Sequence, residues 1–187
     1  MIHPACESDL CSYLVSALDL EGDVIECGCF KGSTSLVLAK VLRESERDKQ
    51  LHVYDSFEGL PPPTASDRGT TIKESQARAS VEDVLETFDG VEEPPIIHAG
   101  WFSCTIPAEL PERISFAFLD GDFYESIRVC MEGVFPRLAR GGMMYVHDYD
   151  YPKLPGAKKA VDEFVQVTPN AFFRASRYCS AVVIRGF

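Results

Sequence analysis

Four apolar runs in this chain end on groups able to do chemistry. Val24-Ile25 ends on Glu26, Leu51 to Tyr54 on Asp55, Ile114 to Leu119 on Asp120 and then Asp122, and Met143 to Val146 on His147-Asp148. A fifth run, Pro95 to His98, leads to Gly100-Trp101. A carboxylate so placed can accept hydrogen bonds from a diol, offset a cationic centre, ligate a hard cation or take up a proton. An imidazole adds a nitrogen ligand or a second base. After Glu26 the chain reads Cys27-Gly28-Cys29-Phe30-Lys31-Gly32-Ser33. Gly28 allows a tight turn and close ligand approach, and Gly32 opens a helix whose unpaired N–H groups attract a polar or negative edge. Ser33 is read as the N-cap of that helix. The loop lacks the first glycine of the dinucleotide fingerprint, which speaks against a nicotinamide-type cofactor.

The residues between these runs supply the elements that must hold them. Leu10, Tyr13, Leu14, Ala17 and Leu18 recur at helical spacing and predict a helix over 7–20, within an N-terminal segment 1–21. Leu36, Val37, Val41 and Leu42 predict a helix after Gly32. Val81, Val84, Leu85 and Phe88 predict another, closed by Gly90; two more are expected over 123–138 and from Ala157 to Val165. Gly141-Gly142 reads as a turn into the run that ends at His147. Ala171 to Ala175 and Tyr178 to Ile184 read as a closing antiparallel pair. Residues 61–80, with three prolines and little periodicity, read as a lid-like insertion. Strands and helices alternate, so the expected class is α/β, with a mostly parallel sheet and an antiparallel edge. In such a sheet the carboxyl ends of the strands converge on one crevice, which is where Glu26, Asp55, Trp101, Asp120, Asp122, His147 and Asp148 would meet.

Composition narrows the function. A chain of 187 residues with 45% hydrophobic and 25% charged residues is long enough for one domain, 1–187, with a sizeable core. With 18 basic against 29 acidic residues, its net charge of −11 argues against a nucleic-acid backbone and an anionic membrane surface. Small-molecule work and a divalent cation suit it. Seven cysteines include a Cys27-x-Cys29 pair with no second pair at metal-finger spacing, and read as small buried residues in a reducing compartment. Without a signal-peptide pattern or a membrane-length apolar run, the cytoplasm is the expected location.

The acid-x-Gly-x-x-x-Gly loop resembles motif I of class I S-adenosylmethionine-dependent methyltransferases. Together with Tyr54-Asp55-Ser56-Phe57-Glu58-Gly59-Leu60-Pro61, Gly100-Trp101-Phe102, Leu119-Asp120-Gly121-Asp122-Phe123-Tyr124-Glu125-Ser126 and His147-Asp148-Tyr149, it is similar to the successive motifs of the macrocin O-methyltransferase family. The resemblance runs from about Gly22 to Phe164. It implies a Rossmann-like class I methyltransferase fold with a seven-stranded sheet and an antiparallel C-terminal hairpin. It also implies S-adenosyl-L-methionine as cofactor, a divalent cation (magnesium or manganese), and O-methylation of a sugar or phenol-like hydroxyl on a natural product. Glu26, Gly28, Gly32, Ser33, Asp55, Ser56, Gly100, Trp101 and Asp120 become cofactor-binding candidates, with Asp55 on the ribose diol and Trp101 on adenine. Asp120, His147 and Asp148 become metal ligands, Asp122 the general base, and Tyr124 a wall of the pocket. Expected partners are a small-molecule acceptor, neither nucleic acid nor membrane, and a second copy in a homodimer.

One position departs from the family pattern. Relatives typically show Asp-Asp where this chain has His147-Asp148. An imidazole in place of a carboxylate removes a negative charge and moves preference from magnesium toward manganese, iron, cobalt, nickel or zinc. Alternatively His147 is a second base or only packs, leaving Asp120 and Asp148 to hold the metal. The rival classes are a nucleotide-cofactor oxidoreductase and a non-catalytic S-adenosylmethionine-binding protein.

Overall fold

The computed structural model describes residues 3–176 and 178–186; what the sequence suggests for residues 1, 2, 177 and 187 lies outside them. The apolar runs form seven strands: β1 Asp23–Cys27, β2 Leu51–Asp55, β3 Ile96–Ala99, β4 Ile114–Leu119, β5 Leu138–Val146, β6 Ala171–Ala175 and β7 Ala181–Arg185. They lie in one sheet in the order β3-β2-β1-β4-β5-β7-β6. The first five run parallel, and β7 is antiparallel to both β5 and β6. The chain works outward from β1 to β3, then crosses back to β4 on the other side of β1. The strand order therefore reverses between β1 and β4, the place where open sheets of this kind leave a crevice.

Alternate residues of the buried strands face opposite layers. Val24, Val53, Phe116, Phe118, Tyr145 and Val182 pack under α1 (Pro4–Ala17), α2 (Ser33–Ser45) and α3 (Val81–Thr87). Ile25, Cys27, Tyr54, Ala117, Leu119, Met144, Val146 and Val183 pack under α4 (Phe102–Glu109), α5 (Tyr124–Val134) and α6 (Pro155–Val167). β4 is buried along its whole length, as expected of a central parallel strand covered on both faces.

Several boundaries differ from the expected ones, each for a local reason. The first helix begins at Pro4, whose missing N–H costs nothing at the first helical position, and the ring of His3 accepts the Ala5 N–H at 3.2 Å; the helix ends at Ala17. The helix expected over 123–138 stops at Val134, because Pro136 cannot continue the ladder. A 3-10 turn over Phe135–Arg137 follows, and β5 already starts at Leu138. Gly141-Gly142 is thus inside a strand: Ile114 pairs with Leu138 while Phe116 pairs with Met143, and the surplus residues on β5 form an irregular bulge. β7 begins at Ala181, not at Tyr178. Helix α4 carries no sequence signal, being eight residues long with Pro107 inside it.

The insertion over 61–80 contains one short 3-10 turn, Ala65–Asp67, and is anchored by the buried Asp67. One carboxylate oxygen of Asp67 accepts the Thr64 N–H and hydroxyl, both at 2.8 Å; the other accepts the Tyr124 N–H at 2.8 Å and so caps α5. Leu60 and Ser75-Gln76 close the base of the insertion through two backbone hydrogen bonds. Asp67→Ala should cost about 1–3 kcal/mol, because it removes the acceptor of the Thr64 turn and of the first N–H of α5. In hydrogen exchange the Tyr124 amide and residues 64–67 should lose protection together; unchanged protection at Tyr124 would show that the anchor does not hold the helix.

Candidate active site

A cleft of about 740 Å³ opens over the C-terminal ends of β1, β2, β4 and β5. Of the residues nominated from sequence, Gly28, Asp55, Ser56, Trp101, Asp120, Asp122, His147 and Asp148 line it. Glu26 is fully buried and is not part of the wall, and neither are Gly32, Ser33 and Gly100. Tyr124 also misses the cleft: its hydroxyl donates to Glu163 at 2.6 Å, and it borders a shallower groove between α5 and α6.

The glycine loop is shaped by close backbone contacts. Gly28 has φ of +93°, and a Cβ there would collide with the Asp120 carbonyl oxygen, so only glycine lets β1 and β4 turn outward side by side. Gly32, in the left-handed region at φ 82°, is the N-cap of α2. Ser33 is the first helical residue rather than the cap. The Asp55 carboxylate is largely engaged. Its Oδ2 accepts the Cys29 and Phe30 N–H groups at 3.0 Å each, and its Oδ1 accepts the Phe57 N–H at 2.8 Å. Burial pushes the pKa of Asp55 up, and these three N–H groups pull it back. A carboxylate offers roughly four acceptor positions, which leaves one on Oδ1. The rest of the carboxylate holds the loop, so at most one position on Oδ1 stays open to a ligand. Asp55→Ala should weaken binding of S-adenosylhomocysteine by about 1–3 kcal/mol, through the loop as much as through the lost contact. An unchanged dissociation constant in calorimetry would remove Asp55 from the site.

Beneath the loop, the Ser35 hydroxyl donates to Glu26 Oε2. Among the described residues, Glu26 Oε1 is a buried side-chain oxygen without a hydrogen-bond partner. Burial pushes Glu26 up to about 8; Ser35 opposes this, while Asp120 and Asp55 add to it. A buried acid left one bond short suits a site that receives a cationic or donor-rich ligand.

Across the cleft, Asp120, His147 and Asp148 bring one ligand atom each to within 4.8 Å of one another. His147 Nδ1 lies 3.1 Å from Asp120 Oδ1 and 3.4 Å from Asp148 Oδ2. Burial alone would lower the pKa of His147, but the charge of Asp120 and hydrogen bonds to Asp120, Asp148 and Cys6 raise it far above its ordinary value. Asp122 is pushed up to about 8 by burial and by the charges of Asp120 and Asp148, against the opposing effect of His147. Asp122 and Asp148 have φ of 59° and 56°, a left-handed conformation that costs about 1–2 kcal/mol per residue. Backbone strain of this kind clusters at functional sites.

Other wall residues escaped the sequence reading. Leu60, Pro61, Pro62 and Ala77 come from the insertion and its base, Phe102 and Ser103 from α4, and Glu125, Arg128 and Val129 from α5. The last three fall on one helical face by their spacing, a signal that was available. Phe30 sits between the two glycines of the loop and also lines the cleft. Cys6 of α1 packs at the base of this region, 3.5 Å from the Tyr145 hydroxyl and 3.7 Å from that of Ser180; nothing in its sequence context marks it.

The fold closely matches known structures. The O-methyltransferase NovP superposes with a TM-score of 0.85 at 26% identity, over 97% of this chain and 80% of that one. The calicheamicin methyltransferase CalS11 gives 0.81 at 24% identity, over 99% and 81%. In sequence, the chain is 31% identical over 156 residues to demethyldecarbamoylnovobiocin O-methyltransferase of Streptomyces niveus, covering 78% of this chain and 59% of the relative. It is 32% identical over 149 residues to the 8-demethyl-8-(2,3-dimethoxy-alpha-L-rhamnosyl)-tetracenomycin-C 4'-O-methyltransferase of Streptomyces olivaceus, covering 74% and 57%. The chain thus spans less than two thirds of the length of these relatives. The family model for macrocin O-methyltransferases (TylF) matches residues 9–169, and the chain belongs to that family.

Proposed function

We propose that the chain transfers a methyl group from S-adenosyl-L-methionine to a hydroxyl of a small natural product, such as a sugar it carries. The observation that carries this reading is one cleft at the strand-order reversal that joins a glycine loop with Asp55 to a cluster of Asp120, Asp122, His147 and Asp148. Asp55 and Trp101 hold the nucleoside end of the cofactor. Gly28 admits its methionine portion, and the buried Glu26 lies beneath the loop. Asp122 accepts the proton of the attacking hydroxyl, its raised pKa suiting that exchange near neutral pH. The pocket carries the carboxylates of Asp55, Asp120, Asp122, Glu125 and Asp148. Among the described residues its one arginine, Arg128, is already engaged by Glu125 and Glu132. That balance favours an uncharged acceptor over a phosphorylated one.

The mixed nitrogen and oxygen donors of Asp120, His147 and Asp148 fit a divalent cation. When bound there, it would lower the acceptor's pKa and fix its oxygen. Seven unpaired cysteines fit a reducing cytoplasm, and no described helix is long and apolar enough to cross a membrane. Calorimetry with S-adenosylhomocysteine and NAD, followed by transfer of labelled methyl to a panel of glycosides and phenols, tests the reading. Binding of the former ligand and not the latter is expected. A chelator should abolish transfer, manganese should restore it better than magnesium, and His147→Asp should raise the magnesium-supported rate. Preference for NAD would overturn the reading, and full transfer after exhaustive chelation would remove the metal.

A further inference from the structure

A second cluster of titratable side chains lies away from the Asp120 site. His52 on β2 and His98 on β3 approach edge to edge, His52 Nδ1 lying 3.0 Å from His98 Nε2. His98 Nδ1 is 2.7 Å from Glu109 Oε2, at the last residue of α4. Tyr54 stacks on His98 with ring centres 4.3 Å apart and planes within 6°, and its hydroxyl donates to the Glu109 carbonyl at 2.9 Å. On the far side, His52 Nε2 is 3.7 Å from Asp23 Oδ2, too long for a hydrogen bond.

Counting protons gives this chain a direction. In their neutral forms two imidazoles bring two N–H groups. The Glu109 carboxylate can only accept, so His98 places its proton on Nδ1 and keeps a lone pair on Nε2. His52 must then donate from Nδ1, leaving its Nε2 bare. Both rings are thereby held in the Nδ1–H form, the less populated tautomer of a free imidazole. The partner of one nitrogen fixes the state of the other.

The other end of α4 carries Trp101 at its N-cap and then Phe102 and Ser103, all three of which line the cleft. We propose that His52, His98 and Glu109 are positioning residues: a directional hydrogen-bond clamp that ties the C-terminal end of α4 to β2 and β3 and so sets the α4 wall of the cofactor cleft. The functional consequence rests on the cofactor reading above; the clamp itself does not.

Two properties make it testable. The chain has four histidines, so ring nitrogens can be assigned by nitrogen-15 NMR, and one tryptophan, Trp101, reports on the wall by its fluorescence. Both His52 and His98 should show the Nδ1–H tautomer; Nε2–H on either ring overturns the proposal. An asparagine side chain places its amide N–H near the position of Nδ1, so His52→Asn should keep the wild-type Trp101 emission. His52→Leu, which has no donor, should shift that emission and raise the dissociation constant for S-adenosylhomocysteine about 3- to 10-fold. Identical behaviour of the two variants, or an unmoved Trp101 in both, refutes the clamp. Should S-adenosylhomocysteine fail to bind the wild-type protein, the cofactor reading falls, while tautomers and emission still decide the clamp.

Discussion

Asp122→Asn should lower methyl transfer about 10²- to 10⁴-fold while leaving the dissociation constant for S-adenosylhomocysteine within about twofold. The amide keeps the shape of the side chain and its fit in the strained turn at φ 59°. It also replaces a group that burial and the charges of Asp120 and Asp148 already push toward its uncharged form. Local stability should therefore hold or improve. What is lost is the ability to take the proton of the attacking hydroxyl. Single-turnover transfer of labelled methyl, measured beside calorimetry, separates the two effects. A rate within threefold of wild type would move the base to another group.

Glu26→Gln should make the protein more stable at neutral pH while weakening cofactor binding. In the folded protein Glu26 holds its proton up to about 8, against an ordinary value of 4.5. Between those values the folded state keeps a proton that the unfolded chain has released, so this group's contribution falls steadily as pH rises through the window. At 1.36 kcal/mol per pH unit, the span amounts to roughly 5 kcal/mol. Glutamine has no proton to lose, so the variant should lack this slope. Urea unfolding at pH 5, 6, 7 and 8 should show its advantage over wild type growing with pH. Parallel pH profiles for the two proteins would mean that Glu26 is ionised in the fold. A ligand that supplies a donor or a positive charge to Oε1 would recover what burial costs, so wild type should gain more from cofactor than the variant does.

The strand-end acids were legible because parallel strands in an open sheet present their carboxyl ends together, and an acid directly after an apolar run is visible in one dimension. Glu26, Asp55, Asp120, Asp122 and the His147-Asp148 pair were found that way. Less legible was how each carboxylate is used. Three backbone N–H groups turn toward Asp55 because of the loop's fold, and sequence does not count them. Ser33 resembled a cap, yet the left-handed turn at Gly32 moved the cap by one residue. Helix α4 stayed hidden because eight residues with an internal proline show no period. β5 began early because the bulge around Gly141-Gly142 lets a strand absorb residues that looked like a turn.

Asp67 gives the insertion and the Asp122 turn a shared mechanical fate. The same carboxylate that folds the Thr64–Asp67 turn also caps the helix that starts two residues after Asp122. An outward swing large enough to break that bond leaves the first turn of α5 uncapped and the Asp122 turn without its support. Gate and base would then relax together. A cleft open to solvent would hold a slack base, and a seated base would come with a closed cleft. With Asp122 as the base proposed above, such coupling would confine proton transfer to the interval in which the acceptor is enclosed and would guard the activated methyl group against stray water.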